Sequence, residues 1–248
     1  MGSELSADEQ VALDVYLQEM VLESPDVKAF LTDLASLAAA SIADVDPEML
    51  CGVTVIRRKK PVTVAGNNDT AYRFDQLQNS FGDGPCLTAM REMKSLLVPD
   101  LHREPRWPDF IQALSDQGIS SVLGVPLLIE GETRASLNFY ASRAQAFTHA
   151  DVERAESFAA HASKSLRLSL KIAHYSEARD DLAAAMESRT IIDLALGAVM
   201  AQNRCSQDEA RRILTAASNH RNEKLRDIAA AVIASISDSA VSTNFDIH

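Results

Sequence analysis

Apolar residues recur at helical spacing through the last third of the chain, from Asp181 to Ser237. They form three short stripes with i, i+3 and i+4 spacing, the pattern of helices that each bury one face. The stripes are Ile192, Ala195, Leu196, Val199 and Met200, then Ala210, Ile213, Leu214 and Ala217, then Leu225, Ile228, Ala229, Val232, Ile233 and Ile236. Ser206 and Glu209 have capping-box spacing before the second stripe, and Asn222 is suited to cap the third. The pattern predicts a three-helix unit with a polar, basic connector at residues 218–227.

The rest of the chain changes from helix to strand and back. Two helices are predicted first, one opened by a capping box of Ser6 and Glu9, the next with Pro25 at its first position and an end near Ala43. Runs rich in β-branched residues predict strands at residues 51–56, 61–65, 95–99, 120–129 and 133–141. Short helices are predicted at residues 85–93 and 107–117. The order predicts an α+β domain before the three helices.

A long helix joins the two parts. Thr148 is a suitable cap with Asp151 three positions later, and no Pro or Gly occurs between Thr148 and Gly197. The residues with 4-3-4 spacing, the seam of a coiled coil, are Ala155, Ala159, Ala162 and Leu166. Because an isolated helix of this length is not stable in water, we expect a parallel homodimer with this seam as its interface.

Charge is distributed unevenly along the 248 residues, whose net charge is -11. Residues 1–50 contain eleven acidic side chains and one basic side chain, Lys28, whereas residues 182–236 contain seven basic and six acidic ones. Phosphate neutralisation supplies most non-specific nucleic-acid affinity, so we expect weak binding to random duplex. Recognition of nucleic acid would then depend on a shaped site and unpaired bases.

Composition also indicates a compartment. The 46% hydrophobic content suffices for a packed core, no apolar run approaches the roughly 20 residues that span a bilayer, and the first residues do not resemble a signal peptide. The three cysteines, Cys51, Cys86 and Cys205, are widely spaced and lack metal-ligand spacing. We expect a cytoplasmic protein without metal, cofactor or membrane contact.

The three-helix region resembles the ANTAR domain, an RNA-binding module of bacterial transcription antitermination regulators. The matching residues are Ala195-Leu196-Gly197-Ala198-Val199-Met200, Glu209-Ala210, Leu214, Ser218 and Arg221-Asn222-Glu223-Lys224-Leu225-Arg226-Asp227-Ile228-Ala229. Many members of that family carry Lys where this chain has Leu196, which removes one candidate phosphate contact.

Residues 31–171 resemble a GAF domain, a small-molecule sensor with an antiparallel sheet flanked by helices. The matching residues are Gly82-Asp83-Gly84-Pro85-Cys86-Leu87, Arg106-Trp107-Pro108-Asp109-Phe110, Gly118 through Leu127, Gly131-Glu132 and Ala146-Phe147-Thr148. A GAF domain joined to an ANTAR domain through a coiled coil is a known bacterial arrangement. The residue pattern and the two resemblances together predict an N-terminal helix (1–24), a GAF domain (25–171), a coiled-coil linker (148–185), an ANTAR domain (182–237) and a flexible tail (238–248).

The ANTAR resemblance places an RNA site around the connector. The residues assigned to it are Ala195, Gly197, Ser218, Arg221, Asn222, Lys224, Leu225 and Arg226. Arginine can pair with phosphate or stack on a base, and asparagine can hydrogen-bond to a base edge. Structural roles stay open: Asn222 could cap a helix, the basic groups could be solvated or pair with Glu223 and Asp227, Gly197 could allow close helix packing, and Ser218 could cap its own helix.

The sensor domain offers a candidate pocket and an alternative function. Cys86, Trp107, Phe110 and Phe139 are the candidate pocket residues, with Tyr140 beside them. Cys86 at a helix start could have a lowered thiol pKa, which would suit a redox enzyme similar to free-methionine-sulfoxide reductases, with Cys51 resolving. The simpler interpretation makes Cys86 a small apolar residue under the pocket.

The leading hypothesis is a non-enzymatic, homodimeric regulator. By resemblance, its ANTAR domain would bind paired stem-loops in a leader transcript and prevent a terminator from forming, while the GAF domain senses an unidentified signal. A helix-turn-helix DNA binder is disfavoured because the basic connector precedes the third helix. The exposed face of that helix then offers Asp227, Ala230, Ala231 and Ser235 for reading bases.

Overall fold

The computed structural model describes residues 6–42, 48–57, 60–129 and 133–236. The chain divides into two compact units, Met1–Ala173 and His174–His248. The tail predicted at residues 238–248, and Gly131-Glu132 of the GAF match, lie outside the described residues.

The first unit contains helices α1 (Ala7–Glu23), α2 (Val27–Ser41), α3 (Asp69–Phe81), α4 (Pro85–Glu92) and α5 (Pro108–Ser115). Its strands are β1 (Leu50–Arg57), β2 (Lys60–Gly66), β3 (Leu96–Val98), β4 (Ser121–Leu127) and β5 (Arg134–Ala141), with a 3-10 turn at Leu101–Arg103. Helix α6 (His149–Asn203) begins in this unit and ends in the second. The predicted α+β class is confirmed.

The five strands form one antiparallel sheet in the order β2-β1-β5-β4-β3. Because successive side chains of a strand point to opposite faces, Phe139 and Tyr140 of β5 enter two different cores. Phe139 joins the cluster that contains α1, α2 and the first half of α6, and Tyr140 joins the cluster that contains α3, α4 and α5. The sheet is therefore covered by helices on both faces.

The seam predicted for a partner is covered by the chain itself. Ala155, Ala159, Ala162 and Leu166 are fully buried in the core with residues of α1, α2 and the sheet. Nearby, Asp14 of α1 accepts from His161 Nδ1 at 2.6 Å and from Lys164 Nζ at 3.1 Å. The prediction that this seam forms a dimer interface was wrong, because heptad spacing reveals a buried face and not the identity of its partner.

The caps explain where most helices begin. Ser6 and Glu9 exchange hydrogen bonds before α1, and Thr148 and Asp151 do the same before α6, as predicted. Helix α2 starts later than predicted. Asp26 accepts from the Ala29 amide at 2.8 Å and caps the helix, so Pro25 precedes the cap.

The second unit is a three-helix core formed by the end of α6, α7 (Gln207–Arg221) and α8 (Leu225–Ala234). Its buried residues are Ala195, Leu196, Val199, Ala210, Leu214, Ile228 and Ala229. The capping box of Ser206 and Glu209 opens α7 as predicted. Asn222 does not cap the third helix. It has φ 54° and ends α7 in the left-handed region, which asparagine tolerates better than most residues, and Lys224 precedes α8.

Candidate functional site

The turn between α7 and α8 is held by two hydrogen bonds between Ser218 and Glu223, one from the backbone and one from a side chain. The Glu223 amide donates to the Ser218 carbonyl at 3.1 Å, and the Ser218 hydroxyl donates to the Glu223 carbonyl at 2.6 Å. With Asn222 in the left-handed region, this bond from Glu223 to Ser218 has the spacing of a Schellman motif. Ser218 thus fixes the turn through its side chain, the structural role that the sequence left open.

Basic side chains project from this fixed turn. Arg221 and Lys224 are exposed, and neither forms an ion pair within the described part of the chain. Asn222 is exposed between them. The arrangement presents two cations and an amide on a short stretch of ordered backbone, where they can meet phosphates and base edges.

Arg226 differs from these cations because it has a partner. Its Nη2 lies 3.0 Å from Oε2 of Glu187 on α6, and the two side chains are 41% and 42% exposed. The Arg226 guanidinium is therefore already engaged in an ion pair at the surface of the three-helix core. Neither Glu223 nor Asp227, the partners considered from sequence, forms an ion pair with Arg226, and all three belong to the described residues.

Gly197 has open space above it. A Cβ built at this position has no atom within 4 Å, and the residue is exposed on α6. Close helix packing, the structural explanation considered for Gly197, is therefore excluded for the three-helix core as described. A glycine in a helix interior costs about 1 kcal/mol relative to alanine, so Gly197 lowers helix stability, and no packing reason for it is found among the described residues.

Two of the residues assigned to RNA, together with Leu196, serve the core instead. Ala195 is fully buried and Leu196 is 2% exposed, while Leu225 is half-buried against the same cluster. Ala195 and Leu225 were assigned to RNA from the resemblance, but their side chains pack between the helices and Ala195 has no exposed surface. Leu196, at the position where many relatives carry Lys, fills the core.

A cavity of about 580 Å³ opens at one end of the sheet in the first unit. It is lined by Glu48, Met49, Leu50, Asn67, Asn68, Thr70, Phe74, Gln117, Gly118, Ile119, Tyr140 and Ser142. Cys86, Trp107, Phe110 and Phe139, the predicted pocket residues, do not line it. The first three are buried in the cluster with α3, α4 and α5, and Phe139 faces the opposite core. Tyr140 is the one aromatic residue of the predicted group that reaches the cavity.

Behind Tyr140 lies a buried polar cluster around Asp75 of α3. The carboxylate accepts from the Tyr140 hydroxyl at 2.5 Å, from Thr54 Oγ1 at 2.9 Å and from Asn138 Nδ2 at 2.9 Å. Burial raises the pKa of Asp75 to about 6, and these three donors partly oppose the rise. A Cβ at Gly52 would lie 2.5 Å from Asp75 Oδ2, so the glycine makes room for the carboxylate.

Cys86 borders this cluster and is not an activated thiol. It is fully buried, and its amide donates to Gln78 Oε1 at 3.0 Å. Burial raises the pKa of the Cys86 thiol well above its usual range, and the negative charge of Asp75 raises it further. The pKa lowering predicted from the helix start was wrong because desolvation dominates here. Cys51, the proposed resolving residue, is also fully buried with a raised pKa.

The polar residues around Asp75 were missed from sequence. Helix α3 was not predicted, because its buried face combines Ala71 and Phe74 with Asp75 and Gln78 and so lacks an apolar stripe. The strand residues Thr54, Ser136 and Asn138 are also fully buried. The two-residue spacing of Ser136 and Asn138 within an apolar strand was the available signal, since they share one face.

The described residues contain neither a cluster of metal-ligand side chains nor a helix able to span a membrane. No group of three or more His, Cys, Asp or Glu residues within them is placed to hold a metal ion. None of the helices in the described ranges combines the length and apolar character needed to cross a bilayer.

Comparison with known families matches both parts of the chain. The GAF domain model matches residues 28–167, and the ANTAR domain model matches residues 180–233. Both resemblances drawn from sequence are thereby confirmed, in the same order along the chain. No curated protein matches the sequence significantly.

Several solved structures are similar to about two thirds of the chain. A free methionine-R-sulfoxide reductase from Neisseria meningitidis is 15% identical over 68% of this chain and 95% of its own, with a TM-score of 0.49. A structure described as a GAF domain is 18% identical over 66% of this chain and 92% of its own, with a TM-score of 0.47. The transcription factor CepR2 from Burkholderia cenocepacia is 14% identical over 65% and 94%, with a TM-score of 0.49.

Proposed function

We propose that this chain, which belongs to the GAF domain family and carries an ANTAR domain after it, is a regulator that binds RNA through its second unit. The observation that carries the proposal is the ordered basic turn at residues 221–224 within the ANTAR match. Arg221, Asn222, Lys224 and Arg226 are the RNA-contacting residues, Gly197 leaves space for the RNA, and Ser218 holds the turn.

The RNA is a pair of stem-loops in a leader transcript, and binding keeps an overlapping terminator from forming. This target follows from the ANTAR family, and the charge distribution agrees with it. A unit with nearly balanced charge has little affinity for duplex of any sequence, so unpaired loop bases must supply part of the binding. Arginine can stack on such bases, and Asn222 can hydrogen-bond to their edges.

A homodimer presents two ANTAR units to the two stem-loops. Its interface is placed on a part of α6 other than the buried seam. In the first unit Leu168 and Ile172 are exposed, and in the second unit Tyr175, Leu182 and Met186 are exposed. Their positions follow the alternating spacing of four and three along the sequence, with Arg179 at the remaining position. Tethering two units raises the effective concentration for the second stem-loop.

The GAF domain receives the signal, and its cavity at Tyr140 and Phe74 is the binding site for a small molecule. The lining combines aromatic rings with the amides of Asn67, Asn68 and Gln117. This mixture suits a ligand that is partly apolar and forms a few hydrogen bonds. Ligand binding changes how the ANTAR units are presented to RNA.

The first experiment removes two cations of the proposed RNA surface, Lys224 in the basic turn and Arg226 on α8. In Lys224→Ala with Arg226→Ala, binding to an RNA with two stem-loops should fall at least about tenfold, because two charge-assisted contacts are lost. Electrophoretic mobility shift measures the affinity, and circular dichroism should show an unchanged helix content because both side chains are at the surface.

The matched control is Arg204→Ala with Arg212→Ala, which removes two exposed cations of the same unit that lie neither in the basic turn nor at the proposed dimer positions. It should retain RNA affinity within about threefold, since general charge loss alone is a small effect at moderate salt. Equal losses in both double variants would refute the assignment of the site to the turn.

An enzymatic role can be tested with the same protein. Methionine-sulfoxide reduction that disappears in Cys86→Ser, together with no RNA binding, would support the alternative of a thiol enzyme. The burial of Cys86 and its raised thiol pKa argue for no turnover.

A further inference from the structure

We infer that Glu187 restrains Arg226 and acts as an internal competitor of the RNA phosphate, so that it sets the affinity of the ANTAR unit for RNA. The inference rests on the proposed function, because it concerns one residue of the same RNA surface. Glu187 lies on α6, 39 positions before Arg226, and is not among the residues that the family resemblance assigns to RNA.

The geometry singles out one of the three cations at this surface. Arg221 and Lys224 have no ion pair within the described part of the chain, whereas Arg226 contacts Glu187 at 3.0 Å. Both partners are held on helices of one packed core, since Ile228 of α8 and Ala195 of α6 belong to the same buried cluster. The packed helices therefore hold the Glu187 carboxylate beside the Arg226 guanidinium, and neither residue lies on a loop.

The ion pair between Glu187 and Arg226 is weak enough for a phosphate to take the place of Glu187. Two side chains that are about two-fifths exposed form an ion pair of the surface type, which contributes little to stability and is screened by salt. A phosphate can therefore replace Glu187 at Arg226. The replacement leaves a carboxylate next to a phosphate, and this repulsion lowers the gain from the new contact.

Two consequences follow for binding. Removing the charge of Glu187 should tighten RNA binding, because Arg226 then meets the phosphate without a competitor. The salt dependence should also become steeper, because Arg226 neutralises the phosphate without an adjacent negative charge. One added phosphate contact changes the slope of log K against log salt by about -0.7 for a single strand.

The test uses the full chain and a defined RNA probe. The probe is the most enriched member of a library of two short stem-loops with randomised loops, selected with the wild-type protein and labelled with fluorescein. Fluorescence anisotropy should show that Glu187→Gln binds this RNA about two- to fivefold more tightly, the range expected for loss of one exposed charge pair. The slope against salt should become more negative.

The controls separate a local from a general effect. Glu177→Gln removes one exposed negative charge from the same helix and should leave the affinity unchanged. In an Arg226→Gln background, Glu187→Gln should have no effect, because Glu187 acts through Arg226. The four affinities form a double-mutant cycle whose interaction term is the measured quantity.

Each outcome decides one of the two claims. If no RNA is enriched by the wild-type chain, the proposed function fails. If the wild-type chain binds its selected RNA and Glu187→Gln binds equally or more weakly, the inference is overturned, since Glu187 would then be inert or would orient Arg226 for binding. An effect of Glu187→Gln that persists without Arg226 would also overturn it.

Discussion

At the scale of single residues, the carboxyl of Asp75 is a fully buried ionisable group of the first unit. Its three hydrogen-bond donors come from β1 and β5, and no cation is among the causes of its pKa. Hydrogen bonds to the carboxylate do not fully replace the water that it loses on burial. The raised pKa therefore shows that these hydrogen bonds only partly offset the loss of hydration of the Asp75 carboxylate.

This pKa predicts a dependence of stability on pH. A rise from 3.8 to about 6 corresponds to a free-energy difference of about 3 kcal/mol. The native state binds the proton more tightly than the unfolded state, so the stabilisation is fully present below about pH 3.8 and is lost as pH rises through about 6. Urea unfolding of the wild type and of Asp75→Asn at several pH values measures the effect. The difference in unfolding free energy between the wild type and Asp75→Asn should fall as the pH rises and become constant above about pH 6. A difference that does not change with pH would contradict the burial of a titrating carboxyl.

The open space at Gly197 leads to a second prediction for a single residue. Because no atom lies within 4 Å of an added Cβ, Gly197→Ala should stabilise the second unit by about 1 kcal/mol in urea unfolding through helix propensity alone. The same variant should bind the stem-loop RNA more weakly, and Gly197→Leu more weakly still, because the added atoms occupy space left for the RNA. Unchanged RNA affinity in both variants would remove Gly197 from the site.

At the scale of elements, apolar periodicity located most helices and every strand, and it failed where polar residues are buried. Helix α3 lies between Asp69 and Phe81, and its inward face includes Asp75 and Gln78, which a hydrophobic pattern reads as exposed. The seam at Ala155 and Leu166 was recognised as buried but was assigned to a second chain. Spacing alone does not distinguish the chain's own helices from those of a partner.

The candidate RNA site shows the same limit. The local sequence located the basic connector, and the three-helix pattern placed it between α7 and α8. It did not reveal that Asn222 ends one helix in place of starting the next, because asparagine suits both positions. The pairing of Arg226 with Glu187 connects residues on different helices and requires the folded core. Contacts that depend on tertiary packing were beyond a local pattern.

At the scale of the whole molecule, α6 belongs to both units, and its sides differ in burial. The side that carries Ala159 and Leu166 is buried in the first unit, whereas Tyr175, Leu182 and Met186 are 70%, 59% and 42% exposed in the second. Exposed large apolar side chains at heptad spacing are unusual unless another surface covers them. Charges placed on these two sides should therefore have different consequences, loss of folding on one and loss of dimerisation on the other.

The prediction is that Leu182→Asp with Met186→Asp converts a dimer to a folded monomer, because carboxylates would face each other across the helix pair. Sedimentation equilibrium measures the mass, and circular dichroism should stay close to that of the wild type. Ala184→Asp is the matched control, since residue 184 lies about 200° around the helix from Leu182 and should leave the dimer intact. The monomer should bind a single stem-loop with the same affinity as the wild type. It should lose the tighter binding to an RNA with two stem-loops, a gain in affinity that tethering sets at about a hundredfold or more. A dimer that persists in the double variant would place the interface elsewhere. If the wild-type chain is itself a monomer, a single ANTAR unit must bind either both stem-loops or only one of them.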